Sequence, residues 1–106
     1  MAKNPERNFP ESVREIVVRI PEGSTLSYAD VAKQSGFPGA ARAVGSLMKK
    51  NHDPRIPCHR VIRSCGRVGS YNRGGEKGKA DRLGREGVPI ERHILSGKPV
   101  WSVSRS

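Results

Sequence analysis

Cys58 stands between a proline and a histidine, with an arginine directly after, in the stretch Ile56-Pro57-Cys58-His59-Arg60-Val61-Ile62-Arg63-Ser64-Cys65-Gly66. A cysteine attacks as its thiolate, and a histidine or a positive charge nearby favours that form. Both adjoin Cys58 in the sequence. His59 supplies a base, directly or through a water, in the general arrangement of an activated nucleophile, a base and an orienting acid. Neighbouring side chains on a strand point to opposite faces, so direct contact needs a turn or a helix start at Pro57. The plainer reading of the pair is a small buried thiol beside a satisfied core histidine. Cys65 suits that reading better, lying in a glycine-containing loop with no histidine at its side. Two cysteines and three histidines without CxxC or HxxxH spacing make a poor zinc set, and no structural metal is expected.

A second stretch bears on recognition: Gly39-Ala40-Ala41-Arg42-Ala43-Val44-Gly45 opens a helix with one long polar side chain, Arg42. A reader of major-groove base edges needs several such side chains. Small residues instead let a helix approach closely, which suits the minor groove, roughly 6 Å wide against 12 Å for the major. A lone arginine there can enter the duplex and fill the space left by an extruded nucleotide. The alternative is tight helix packing, with Arg42 a surface charge.

The elements that must position these groups follow from periodicity. Val13, Ile16, Val17 and Ile20 recur at helical spacing from Phe9 to Ile20, and Pro21-Glu22-Gly23 ends the pattern. Ser27 is placed to cap a second helix running through Val31-Ala32-Lys33-Gln34. Gly36-Phe37-Pro38-Gly39 is a turn. A third helix, Ala40 to Lys50, carries Ala43, Val44, Leu47 and Met48 on one side. The pair forms a helix-turn-helix candidate. Arg60-Val61-Ile62-Arg63 reads as a short strand, the glycine-rich residues 64–79 as a loop or hairpin, and Asp81 to Glu86 as one more helical piece. The tail reads as one or two strands around Ser96-Gly97-Lys98.

With 106 residues, one domain spanning 1–106 is expected, with Met1 to Glu6 disordered. The fold class is mainly α with short β, a winged helix-turn-helix. Twenty Lys and Arg against ten Asp and Glu give a formal charge of +10. A polyanionic partner follows, nucleic acid being the commonest; a solvated basic face or a membrane surface would also suit the charge. No membrane-spanning run and no signal peptide are present, so a cytoplasmic protein with free thiols is expected.

The motifs Ile-Pro-Glu-Gly-Ser-Thr-Leu-Ser-Tyr-Ala-Asp-Val-Ala (20–32), Ala-Ala-Arg-Ala-Val-Gly-Ser-Leu-Met-Lys-Lys-Asn (40–51), Ile-Pro-Cys-His-Arg-Val-Ile (56–62) and the run from Gly69 to Gly87 follow one another in one order. In that order and spacing the chain resembles the C-terminal, DNA-binding and active-site domain of the O6-alkylguanine-DNA alkyltransferases. The resemblance implies that Cys58 takes the alkyl group from guanine O6 once and irreversibly. It implies that His59 helps deprotonate Cys58 through a water, that Glu86 orients His59, with Asp81 the next carboxylate to consider, and that Asn51 braces the turn before the cysteine.

By the same resemblance Arg42 replaces the flipped base, Tyr28 crowds the target phosphate, and Tyr71 donates its hydroxyl to the guanine. Ala40, Ala41, Gly45 and Lys49 join Arg42 on the DNA. The backbone carbonyls of Cys58 and Val61, with Met48, Asn72 and Arg73, complete the base pocket, and Gly84 loosens packing behind the lid. The implied partner is double-stranded DNA containing O6-alkylguanine, bound through the minor groove by a monomer, with no cofactor and no membrane. Fuller members carry an N-terminal domain. Alkyltransferase-like proteins, which bind alkylated DNA and signal to excision repair without transfer, resemble this chain in size but replace the cysteine that is kept here. A winged-helix transcription regulator and a Cys-His hydrolase are the readings from other classes.

Overall fold

The computed structural model describes residues 8–104; the expected disorder of Met1 to Glu6 falls outside them. Helix α1 (Phe9–Val18) starts where the Asn8 side chain accepts the Glu11 N–H at 3.0 Å, a cap that satisfies one of the free amides of a first turn. It buries Val13 and Val17. Strand β1 (Leu26–Ser27) leads into α2 (Tyr28–Gln34), where the Ser27 hydroxyl accepts the Asp30 N–H at 3.0 Å, so the expected cap is present. After a turn comes α3 (Ala41–Lys50).

Helix α3 differs from expectation in its inward face. Ala40, Val44, Leu47 and Met48 pack on the core, at the i, i+4, i+7, i+8 spacing of one helical stripe, whereas Ala43 is exposed. Helices α2 and α3 pack against each other as the helix-turn-helix pair.

The cysteine segment is a single 3₁₀ turn, Cys58–Arg60, running directly into β2 (Val61–Ile62). Strand β2 pairs in parallel with β1, Leu26 opposite Val61 and Ser27 opposite Ile62. This two-residue ladder has a large consequence for position. It sets the start of α2, and with it Tyr28, beside the turn that carries Cys58.

Residues expected as loop up to 79 are partly helix: α4 runs Gly75–Arg85, six residues earlier than the expected start at Asp81. The glycines that argued against a helix have specific uses here. Gly74 caps the helix at a left-handed φ of 101°. A side chain at Gly78 would stand 2.7 Å from the Arg73 carbonyl, so the lid segment lies on α4 only because that position is bare. The tail forms one antiparallel hairpin, β3 (Ile90–Leu95) and β4 (Lys98–Val103), joined through Ser96 and Gly97, both at positive φ. Strand β4 also meets the 66–68 segment, at Arg67 opposite Ser102 and through Val68 N–H to the Trp101 carbonyl at 3.0 Å.

Two apolar clusters result. One holds α1, α2, α3, Cys58 and Val61; the other holds Ile62, Val68, Ala80, Leu83 and Val88. Four helices with short strands make the expected class. No helix among the described residues is long and apolar enough to cross a membrane.

Gly84 does not loosen a core, because it is exposed and nothing lies within 4 Å of a side chain built there. A helical glycine in open space costs about 0.5–1 kcal/mol relative to alanine. Gly84→Ala is therefore expected to raise the urea midpoint at unchanged slope, by about 0.5 kcal/mol of stability. A lowered midpoint would show a crowded site.

Candidate active site and nucleic-acid interface

Pro57 precedes the 3₁₀ turn, which places Cys58 and His59 on successive corners rather than on opposite faces of a strand. Both are buried, at 5% and 3% exposure. The turn is held from two sides. The Asn51 amide donates to the Asp53 and Ile56 carbonyls at 3.3 and 3.4 Å, and its oxygen accepts the Asp53 N–H at 3.2 Å. Asn51 thus closes α3 and ties the 51–56 connection together.

From the other side comes Glu86 at the end of α4. Its Oε2 lies 2.9 Å from His59 Nε2, and Arg60 donates to both its oxygens, at 2.9 Å from Nε and 2.7 Å from Nη2. Arg60 also donates to the Ile20 carbonyl at 2.7 Å. Asp81 pairs with Lys77 instead, at 3.1 Å, so Glu86 is the carboxylate at the histidine. Arg60, first, and His59 hold the Glu86 carboxyl at about 2. Burial pushes His59 down, against the pull of Glu86, and the Arg82 and Arg60 charges push it the same way. At neutral pH Glu86 is an acceptor only and the imidazole is neutral, so Nε2 carries the ring proton. The lone pair is then on Nδ1, the nitrogen left to accept a proton.

A cavity of about 80 Å³ adjoins Cys58, walled by Tyr28, Gly45, Met48, Tyr71, Asn72 and Lys79. Lys79 was not singled out by sequence reasoning. It is 1% exposed, and its ammonium donates to the Tyr28 hydroxyl at 3.1 Å and the Ser70 carbonyl at 3.4 Å. Burial pushes it down to about 8, opposed by the nearby Cys58 and Glu76 side chains. Its position in a glycine-rich stretch hid it; the signal would have been a lysine on the same helical face as Glu76 and Leu83. Tyr28 is pushed up, chiefly by burial, and stays a phenol. Having accepted from Lys79, it keeps its own O–H free to donate.

Asn72 donates to the Lys49 and Asn51 carbonyls, at 2.9 and 2.6 Å, which fixes its amide and leaves its buried oxygen unpartnered. Tyr71 accepts from Arg82 at 3.2 Å and stands edge-on to His59, ring centroids 6.5 Å apart. Two residues expected in this pocket are not among its lining. Val61, expected through its backbone carbonyl, has its side chain fully buried in the core, and Arg73 reaches to the His52 carbonyl at 2.9 Å.

Outside the cavity runs a groove of about 860 Å³ between α3 and the 63–70 segment, bearing Ala41, Arg42, Gly45, Lys49, Arg63 and Cys65. Arg42 is exposed. Tyr28, Gly45, Lys49 and Ser70 line both spaces. Ala40 faces the core rather than the groove, and Tyr28 stands at the junction rather than wholly on the outer face. Among the described residues no group of three His, Cys, Asp or Glu is placed to hold a metal ion.

The Glu86 node makes a pH prediction. Glu86 falls from an ordinary 4.5 to about 2 on folding, so its stabilisation is full above 4.5 and is lost as pH falls toward 2. His59, lowered by burial, adds a loss beginning near its ordinary 6.5. Urea unfolding across pH 2 to 7 is expected to show both windows in the wild type. In Glu86→Gln the lower window should shrink to the part left by carboxylates such as Asp53, which its bond to Arg55 also holds at about 2, while the upper one remains; an unchanged acid limb would place the loss on those other carboxylates.

Residues 8–88 match the family model described as 6-O-methylguanine DNA methyltransferase, DNA binding domain. The mouse methylated-DNA–protein-cysteine methyltransferase is 50% identical over 76 residues, covering 71% of this chain and 36% of that protein, so the chain spans about a third of such a relative's length. Alkyltransferase-like protein 1 of Schizosaccharomyces pombe is 39% identical over 84 residues, covering 77% of this chain and 78% of that one. The structure of S. pombe Atl1 in complex with damaged DNA containing O6-carboxymethylguanine superposes with a TM-score of 0.75 at 33% identity, over 90% of this chain and 87% of that chain. Mycobacterium tuberculosis OGT in complex with DNA gives 0.71 at 40% identity, over 76% of this chain and 49% of that one. With the model covering most of its length, this chain belongs to the 6-O-methylguanine DNA methyltransferase DNA-binding-domain family.

Proposed function

We propose that the chain binds duplex DNA through the groove beside α3, takes an O6-alkylated guanine into the cavity, and accepts the alkyl group on Cys58 once. The observation that carries this reading is Cys58 in the wall of a cavity whose other walls hold the donors Tyr28 and Lys79 and the unpartnered acceptor of Asn72. The O6 substituent of a stacked guanine is out of reach of a buried thiol, so the base must leave the helix. Arg42, exposed in the groove, is the residue to fill its place.

In the cavity the exocyclic amine of guanine is a donor of the kind the Asn72 oxygen lacks. The thiol proton passes to His59 Nδ1, directly or through a water. The sulfur then forms a bond to the first carbon of the substituent as the carbon–O6 bond breaks. That electron pair stays on the guanine, which takes a proton from Tyr28 or Tyr71. A thioether remains on Cys58, and nothing in the mechanism regenerates the thiol.

One observation favours a second reading, a protein that binds the lesion without transfer. The superposition on S. pombe Atl1 extends over 90% of this chain, against 76% for M. tuberculosis OGT. Intact mass and peptide mapping after incubation with a duplex holding a single O6-methylguanine separate the two. One methyl on Cys58 is expected, with Cys58→Ala binding the same duplex and gaining none. Tight binding with no gain would give the second reading, and a methyl on Cys65 would overturn the assignment of the acceptor.

A further inference from the structure

Cys58 and Tyr71 line a second space, a cleft of about 190 Å³ that Lys79 does not border and whose lining also includes Arg55, Arg60, Arg73 and Arg82. Two of these cations are compensated. Arg55 is paired with Asp53 at 2.9 Å, and Arg60 with Glu86 at 2.7 Å. The other two hydrogen-bond only to neutral acceptors among the described residues, Arg73 to the His52 carbonyl at 2.9 Å and Arg82 to the Tyr71 hydroxyl at 3.2 Å, while the Asp53 carboxylate already paired with Arg55 is the one anion that also acts on Arg73. Neither bond uses more than one of a guanidinium's five N–H donors. The cleft therefore carries an excess of positive charge beside the reactive residue, its four guanidinium groups outnumbering the Asp53 and Glu86 carboxylates that pair with them.

Position says which ligand would use it. On the reading above, the first carbon of the O6 substituent lies against the Cys58 sulfur, with the guanine in the cavity lined by Tyr28 and Met48. Whatever the substituent carries beyond that carbon must pass beside Cys58, because the sulfur and O6 occupy opposite ends of the displacement. The space there is the arginine-lined cleft. We propose that this cleft is a specificity subsite for acidic O6 substituents, in which Arg73 and Arg82 engage a carboxylate one carbon beyond the reacting position. A guanidinium and a carboxylate form charge-assisted, often bidentate bonds, which neither an alkyl group nor an amide reproduces.

This inference rests on the proposed lesion-binding function, and its test separates the two. Equilibrium affinities would be measured in the Cys58→Ala protein, which cannot react, for duplexes carrying O6-carboxymethylguanine, its neutral isostere O6-carbamoylmethylguanine, O6-methylguanine, or unmodified guanine. The carboxymethyl duplex is expected to bind about tenfold tighter than the carbamoylmethyl one. Adding Arg73→Gln or Arg82→Gln should bring that ratio toward one while O6-methylguanine stays preferred over guanine. A ratio of one in the parent, or a ratio that survives both substitutions, overturns the subsite. Equal weakening of all four duplexes would make the arginines backbone-phosphate contacts and overturn it likewise. Failure to distinguish any modified guanine from guanine would instead remove the lesion-binding reading, and the subsite with it.

Discussion

The carboxylate of Glu86 is the point on which the site depends. Through Arg60 it reaches the Ile20 carbonyl beyond α1, through His59 it fixes the cysteine turn, and it sits itself at the C-terminal end of α4. Three segments far apart in sequence are thereby tied to one side chain. A network of this kind is costly if half satisfied and rigid if complete. Here both Arg60 bonds and the histidine bond are made, so the charge is compensated where it is buried. The same bonds set the tautomer, because an ionised Glu86 obliges His59 to hold its proton on Nε2 and leaves the lone pair on Nδ1.

On the other side of Cys58 the constraint is a buried cation. An ammonium at 1% exposure survives only with acceptors around it, and Tyr28 and the Ser70 carbonyl provide two. Lys79 thus joins α4 to the start of α2, as Glu86 joins it to the cysteine turn. Helix α4 presents Lys79 and Glu86 from opposite ends of the cysteine's surroundings. The short β1–β2 ladder completes this by fixing where α2 begins.

Much of this was legible in the sequence, and the gaps have physical causes. The Ser27 cap, the helix-turn-helix pair and the final hairpin follow from local rules that the structure obeys. The start of α4 did not, because Gly74, Gly75 and Gly78 read as breakers; two of them serve a left-handed cap and a close approach to Arg73. Ala43 was misplaced since small residues give no hydrophobic signal to phase a helix. Cys58 and His59 stood out by their adjacency, Glu86 only through the motif shared with a known family, because the 2.9 Å contact between His59 and Glu86 is a fact of tertiary folding. Lys79, Arg60 and Arg82 were missed as partners because a basic chain offers too many candidate cations for sequence to say which ones turn inward.

The single-turnover rate of methyl transfer from an O6-methylguanine duplex, compared between wild type and Glu86→Gln at neutral pH, tests the account most directly. The amide would donate to His59 Nε2 and move the ring proton to Nδ1, removing the lone pair that receives the thiol proton. A loss of about a hundredfold or more in rate is expected, with affinity for the duplex retained. An unchanged rate would mean that Cys58 is activated without His59 and Glu86, and would contradict it.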